Sequence, residues 1–184
     1  IKLEKPKIIS DWVQQHQNLK NHLFHFKSKP TLKFKKRIRL GDISLDKFQY
    51  VTPPIISENT IFYYDNDFSV VSKNINTGKI NWSIKLEFEK QENFSLVSGF
   101  FLDNKTLFFS TGLGNIYAVD SVDGRINWFK KFGIQFSRPP VVSKEKIFLV
   151  SDDNQLYAIS KKNGDLVWSH LGNIEAVSYT HLRA

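Results

Sequence analysis

Cysteine is absent from the 184 residues. Disulfides, thiolate zinc sites, iron–sulfur clusters and a cysteine nucleophile are therefore excluded within this stretch. The compartment stays open, because an exported protein need not use disulfides. Methionine is absent too and the chain opens at Ile1, so a native start, with any targeting segment, is expected upstream. No window supplies the roughly 18 uninterrupted apolar residues of a membrane-spanning helix, and no charged-then-apolar leader is present. Acidic charge is the scarcer sign: 18 Asp and Glu stand against 26 Lys and Arg, a formal net charge of +8. Such an excess can serve nucleic acid or an anionic membrane surface. Here it accompanies 16 Phe, many Asn and Ile, and Lys used far more than Arg, which reads as a general residue bias. The densest basic run, 33–40, places Phe34, Ile38 and Leu40 two or four residues apart. That spacing suits a strand with one wet face, so the run is read as a solvated strand rather than a nucleic-acid groove.

What the chain does have is an internal repeat. Thr77-Gly78-Lys79-Ile80-Asn81-Trp82, Asp123-Gly124-Arg125-Ile126-Asn127-Trp128 and Asn163-Gly164-Asp165-Leu166-Val167-Trp168 share one pattern, at Gly-to-Gly intervals of 46 and 40 residues. Three of the four Trp residues occupy its last position. The match extends upstream without a gap. Six residues before each Gly stand Ser72, Ala118 and Ala158; seventeen before stand Ile61, Leu107 and Ile147, each followed by Phe. Copies one and three begin alike, Pro53-Pro54-Ile55-Ile56-Ser57 and Pro139-Pro140-Val141-Val142-Ser143.

Each copy reads as four short strands. In the third, the expected strands begin at Val141-Val142, then run Ile147–Val150, Leu156–Ile159 and Asp165–Trp168. Pro can lead the first because it cannot donate inside a ladder. Asp, Asn and Gly in the intervening turns supply the backbone angles that hairpins need, and Asn-Gly or Asp-Gly between apolar runs is a strong hairpin signal. A unit of about 40 residues with four antiparallel strands is a propeller blade. The fold class is therefore all-β: a β-propeller of four-stranded antiparallel blades, with about three blades present and the ring incomplete. Blades bury their faces against one another. Small Ala118 and Ala158 suit positions where neighbouring sheets approach closely, and Trp82, Trp128 and Trp168 are read as covers for the seams between blades.

The Gly-His and Trp-Asp signals of WD40 repeats and the Gly-Gly pair of kelch repeats are absent. Instead, Ala118-Val119-Asp120-Ser121-Val122-Asp123-Gly124-Arg125-Ile126-Asn127-Trp128 resembles the repeat of quinoprotein-like (PQQ-like) propellers. The third copy keeps Tyr157-Ala158, Gly164 and Trp168 but has Ser160 in place of the Asp; the first keeps Thr77-Gly78 and Trp82 and has Asn74. Within that family, the chain resembles the BamB-like lipoproteins of the outer-membrane β-barrel assembly machinery, from about Trp12 to Glu175. The resemblance is carried by 137–143, by 153–159, and by Trp12-Val13-Gln14 with Asn18 and His25; Val13 departs from the usual Pro, and Gln15-His16-Gln17 from small residues.

The resemblance implies a ring of about eight blades, so the chain is expected to be an N-terminal fragment. The expected division is an N-terminal extension over 1–30 and a partial propeller over 31–176. The propeller would comprise a closing strand at 31–40 and blades at about 50–86, 95–132 and 136–172. The tail 177–184 continues no strand of the repeat and is read as a cloning or sequencing scar. The resemblance also implies a non-catalytic scaffold on the periplasmic face of the bacterial outer membrane, held there by a lipidated Cys outside this chain. Its expected partners are the periplasmic domains of the central barrel-assembly subunit and unfolded outer-membrane protein clients, with no nucleic acid and no cofactor. The loop that docks on the central subunit falls, in this alignment, after Gly172, so no partner-contact residue is assigned. Gly78, Trp82, Ala118, Gly124, Trp128, Ala158, Gly164 and Trp168 are assigned as the structural repeat motif.

Catalytic and metal patterns were sought residue by residue. His22 and His25 are three apart, but no Cys or carboxylate joins them, so neither is assigned to a metal. His170 follows a Trp strand without a Ser or Cys partner, and no Gly-x-Ser-x-Gly elbow exists. Gly112-Leu113-Gly114 sits inside a hairpin rather than opening a helix, which excludes a dinucleotide loop. Asp152-Asp153-Asn154 reads as a turn rather than a calcium loop. The alternative function is a fragment of a PQQ-dependent quinoprotein dehydrogenase, an enzyme class that typically holds its quinone with calcium, stacked aromatics and often a vicinal Cys pair. A sensor propeller outside a membrane kinase is a third class, for which no residue here speaks.

Overall fold

The computed structural model describes residues 5–9, 11–14, 17, 25–28, 37–40, 52–65, 69–86, 97–136 and 138–172. Twelve strands form three separate four-stranded antiparallel sheets, each in chain order. Blade 1 holds β1 (Ile55–Ser57), β2 (Thr60–Asp65), β3 (Ser69–Asn74) and β4 (Ile80–Lys85). Blade 2 holds β5 (Gly99–Asp103), β6 (Thr106–Ser110), β7 (Asn115–Asp120) and β8 (Ile126–Lys131). Blade 3 holds β9 (Val141–Ser143), β10 (Lys146–Val150), β11 (Gln155–Ser160) and β12 (Leu166–Leu171). The architecture is that of an unclosed propeller, as the repeat implied. Among the described residues no helix is long and apolar enough to cross a membrane.

Strand alternation explains how blades stack. In a pleated strand successive side chains point to opposite faces, so one residue set serves each neighbour. Ile55, Phe62, Val70 and Trp82 of blade 1 meet Leu102, Leu107, Phe109 and Val119 of blade 2 in one buried cluster. Phe101, Phe108, Ile116 and Ala118 on the other face of blade 2 meet Val142, Ile147, Leu149, Tyr157 and Ile159 of blade 3 in a second. Each fully buried Phe or Leu contributes about 1.5–3 kcal/mol over its exposed state. The backbones of different blades approach most closely at their first strands, β1 against β5 and β5 against β9. The blades therefore converge at their first strands, on the axial side, and fan outward to β4, β8 and β12.

The repeat is kept down to its irregularity. The third and fourth strands shift register at one equivalent place in each blade: Ser72/Lys73, Ala118/Val119 and Ala158/Ile159. Asn81, Asn127 and Val167 are the extra residues of this bulge. It lets the fourth strand leave a tight Gly turn and still bring its Trp opposite Ser72, Ala118 or Ala158.

The structure extends the sequence reading in three places. The last strand of blade 3 runs to Leu171 rather than ending at Trp168, and it begins after Asp165. Of the closing strand expected over 31–40, only 37–40 are described, and they are not in a strand. Leu40 packs against Ile61, Tyr63 and Val71, the face of blade 1 turned away from blade 2, and Lys73 Nζ donates to Arg39 O at 2.8 Å. The tail 177–184 lies outside the described residues. Within 1–30, residues 11–14 cross the axial side of the sheets, which the reading as an extension did not anticipate: Trp12 pairs with Ile56 and Gln14 with Phe101.

Candidate functional site

The motif residues converge at the seams between blades. Asn74 Oδ1 accepts from the Asn76 and Thr77 amides at 2.9 Å. Asp120 Oδ1 accepts from Val122 N at 2.8 Å. These side chains fold the turn that presents the following Gly, with φ +74° at Gly78, +79° at Gly124 and +73° at Gly164. In blade 3 the equivalent position is Ser160, and its turn keeps the main-chain bond common to all three blades: Gly164 N donates to Ser160 O at 2.8 Å, as Gly78 N does to Asn74 O and Gly124 N to Asp120 O at 2.9 Å. The left-handed backbone angle is one reason for glycine here. Packing supplies another at two of the three positions. A Cβ on Gly124 would lie 2.7 Å from Trp82 Cγ, and one on Gly164 would lie 2.7 Å from Trp128 Cζ3.

Thus each Trp lies on the Gly of the next blade. Its indole N–H reaches the carbonyl three residues before that Gly: Trp82 Nε1 donates to Ser121 O and Trp128 Nε1 to Lys161 O, each at 3.0 Å. The other side of each ring meets the Phe of its own blade, at centroid distances of 5.9 Å for Phe62–Trp82 and 6.1 Å for Phe108–Trp128. Ala118 and Ala158 are fully buried opposite their Trp. Of the three motif glycines, Gly78 alone has open space where a Cβ would go. Trp168 keeps the Phe148 contact at 6.1 Å but is 39% exposed, against 8% for Trp82.

Polar contacts across the seams went unread in the sequence. Thr52 and Ser98 are equivalent positions, and each is buried with its hydroxyl donating across to the next blade, to Val97 O and Phe136 O respectively. Their equal distance from the motif Gly was the available signal. Lys161 Nζ sits 3.1 Å from Asp103 Oδ2 and 3.7 Å from Glu145 Oε1, bordering a groove of about 360 Å³ between blades 2 and 3 that Phe108, Asn127 and Trp128 also line. Beside blade 3's second hairpin, burial raises the Tyr157 hydroxyl above the ordinary tyrosine value. The negative charge of Asp153 adds to this, and a hydrogen bond with Ser151 opposes it.

Among the described residues no group of three His, Cys, Asp or Glu side chains is placed to hold a metal ion. His25 and His170 are both exposed, while His22 lies outside the described residues.

At the axial side, residues 11–14 act as a strap. Trp12 and Ile56 exchange main-chain hydrogen bonds of 2.6 and 2.9 Å, and Leu102 N donates to Val13 O at 2.9 Å. Asp11 Oδ1 anchors the strap by accepting from Ser57 Oγ at 3.1 Å and Glu58 N at 2.7 Å. The strap joins blades 1 and 2 by the backbone of both.

Comparison with known proteins agrees with this geometry. No curated protein matches the chain. Among solved structures, BamB from Moraxella catarrhalis is 16% identical over 75% of this chain and 39% of its own, with a TM-score of 0.56. A europium-containing methanol dehydrogenase is 18% identical over 87% of this chain and 31% of its own, with a TM-score of 0.61. The quinohemoprotein alcohol dehydrogenase of Comamonas testosteroni is 12% identical over 88% and 27%, with a TM-score of 0.62. At these identities the likeness shows the fold alone, and the chain spans between a quarter and two fifths of those structures. The sequence pattern of the family described as outer membrane protein assembly factor BamB matches residues 66–183, well over half of the chain. The repeat, its seam geometry and this match together place the chain in the BamB family of PQQ-like propellers.

Proposed function

We propose that this chain is part of a non-catalytic scaffold subunit of the outer-membrane β-barrel assembly machinery, working at the periplasmic face of the outer membrane. In this reading it binds the periplasmic domains of the central barrel-assembly subunit and aids the folding and insertion of outer-membrane proteins. The observation that carries it is the family match over 66–183. The seams support it physically. A Trp in hydrogen-bonded register on the next blade's Gly fixes each blade relative to its neighbour. Loops held on so rigid a frame lose little freedom on binding, which favours recognition by preorganised surfaces. The same proposal divides the chain into an extension over 1–30 and a propeller over 31–176, and the family match runs on to residue 183. Leu40 lies against blade 1 where a last-blade strand would close the ring.

The second reading, a quinone-dependent dehydrogenase, is favoured by the fold likeness to the two dehydrogenases. Among the described residues no three His, Cys, Asp or Glu side chains are grouped to hold a metal ion. Sequencing the complete reading frame separates the two. The scaffold predicts a lipoprotein leader ending in a single Cys and about five further blades. A vicinal Cys pair with clustered Glu, Asn and Asp in later blades would replace it with the dehydrogenase.

A further inference from the structure

The strap exposes a property of the first strands. In an antiparallel pair, main-chain groups alternate between facing the partner and facing away. Ile56 and Leu102 face away from β2 and β6, toward the axis, and that is where Trp12 and Val13 bond to them. Their equivalent in blade 3 is Val142. It stands opposite Ile147, as Ile56 stands opposite Ile61 and Leu102 opposite Leu107. The N–H and C=O of Val142 therefore face the axis in the same way. Among the described residues nothing pairs with them.

Among the described residues the strap's pairing with the sheets ends at Gln14. Gln17 N donates to Gln14 O at 3.0 Å, and Gln17 has φ +71°. The edge of β9 is thus the next step of a path along which two neighbouring edges already hold an extended strand.

We infer that the axial edge of β9 at Val142 is a strand-addition site for an extended segment of another, unfolded polypeptide, bound as Trp12 and Val13 are bound in blades 1 and 2. This deepens the scaffold reading and rests on it for the kind of partner, an unfolded outer-membrane barrel client. The chemistry favours such an occupant. The groups offered are a main-chain donor and acceptor, which any extended backbone satisfies irrespective of sequence. The Val142 side chain is buried between blades 2 and 3 and takes no part in selection. Ser143 is the side chain left to touch the guest: it is the equivalent of Ser57, whose hydroxyl reaches Asp11 of the strap at 3.1 Å. A sequence-tolerant site suits clients that share strand-forming potential rather than a motif.

The test uses the complete protein with a photo-crosslinking residue at position 143, or at 171 on the outer edge of the third blade as a control. The probe is a ten-residue peptide copied from a transmembrane strand of an outer-membrane barrel. Crosslinking at 143 is expected. It should fall at least tenfold when alternate peptide amides are N-methylated, which removes donors and leaves side chains unchanged. Val142→Pro, which deletes the axial N–H, should weaken peptide binding about tenfold. Because that variant alters a packed position, the methylated peptide on the unaltered protein is the deciding measurement. Crosslinking at 143 indifferent to methylation, or from 143 only to the protein's own chain, overturns the inference. Crosslinking at 171 alone also overturns it while leaving client binding intact. No crosslink at either position, with the central subunit's periplasmic domains still bound, removes the site and spares the scaffold. Loss of both removes the scaffold reading as well.

Discussion

A single methyl group at two equivalent glycines separates backbone strain from seam packing. Gly78 and Gly124 share a left-handed conformation, φ +74° and +79°, but a Cβ at Gly78 meets nothing within 4 Å while one at Gly124 meets Trp82 at 2.7 Å. Gly78→Ala should therefore cost only the conformational penalty, about 1–2 kcal/mol. Gly124→Ala should add the displacement of a buried Trp whose indole N–H is committed to Ser121 O at 3.0 Å. Overpacking of this kind costs about 1–3 kcal/mol, and a strained bond to Ser121 adds about 0.5–1.5 kcal/mol. The expected difference between the two variants is thus roughly 1.5–4.5 kcal/mol, the sum of those two terms. Urea unfolding of the complete protein, followed by circular dichroism at constant m-value, measures both. In a Trp82→Ala background the clash is gone, so Gly124→Ala should fall to the cost of Gly78→Ala, a coupling that a double-mutant cycle reads directly. Equal costs for Gly78→Ala and Gly124→Ala in the unaltered background, or a full cost that persists without Trp82, would refute the seam argument.

Three further outcomes follow from the same geometry. Single-Trp forms of this chain should differ in acrylamide quenching, with Trp168, 39% exposed, quenched more strongly than Trp82, 8% exposed; equal quenching would contradict the exposed third face. Ser98→Ala strands the buried Phe136 carbonyl and should cost about 1–3 kcal/mol in denaturant midpoint, whereas Lys161→Met, at a pair only partly shielded from water, should cost under about 1 kcal/mol and lose its effect at high salt. The reverse ranking would contradict the assignment of seam strength to buried hydroxyls. Tyr157 titrates above the ordinary value of 10.0 because burial and Asp153 disfavour its anion. A group whose folded pKa is raised gives stability that is complete below its unfolded value and is lost as pH rises through the folded one. Stability should therefore decline above pH 10.0 and less steeply in Tyr157→Phe, as read by midpoints across that range.

Much of the fold was legible because it is written three times. Gly78, Gly124 and Gly164 mark turns, and Trp82, Trp128 and Trp168 recur at fixed distance from them, so one pattern placed twelve strands. Burial followed from alternation in Ile61-Phe62, Leu107-Phe108 and Ile147-Phe148, whose successive side chains face opposite blades. What escaped were features that do not repeat or do not use side chains. The strap at 11–14 binds through its backbone, so Trp12-Val13-Gln14 carries no pattern that foretells its partners. Thr52 and Ser98 do repeat, but their third equivalent is Arg138, and two hydroxyls alone look like ordinary loop residues. The end of β12 was placed too early because Ser169 and His170 are polar; an exposed outer strand takes such residues without leaving the ladder.

The central claim is that this propeller is a binding scaffold rather than an enzyme. Titration calorimetry of the complete protein against the purified periplasmic domains of the barrel-assembly machinery's central subunit tests it most directly, with pyrroloquinoline quinone plus calcium as the parallel titrant. The account predicts saturable one-to-one binding of the periplasmic domains and no heat from the quinone. Stoichiometric quinone binding together with alcohol-dependent dye reduction, and no binding of the periplasmic domains, would contradict it.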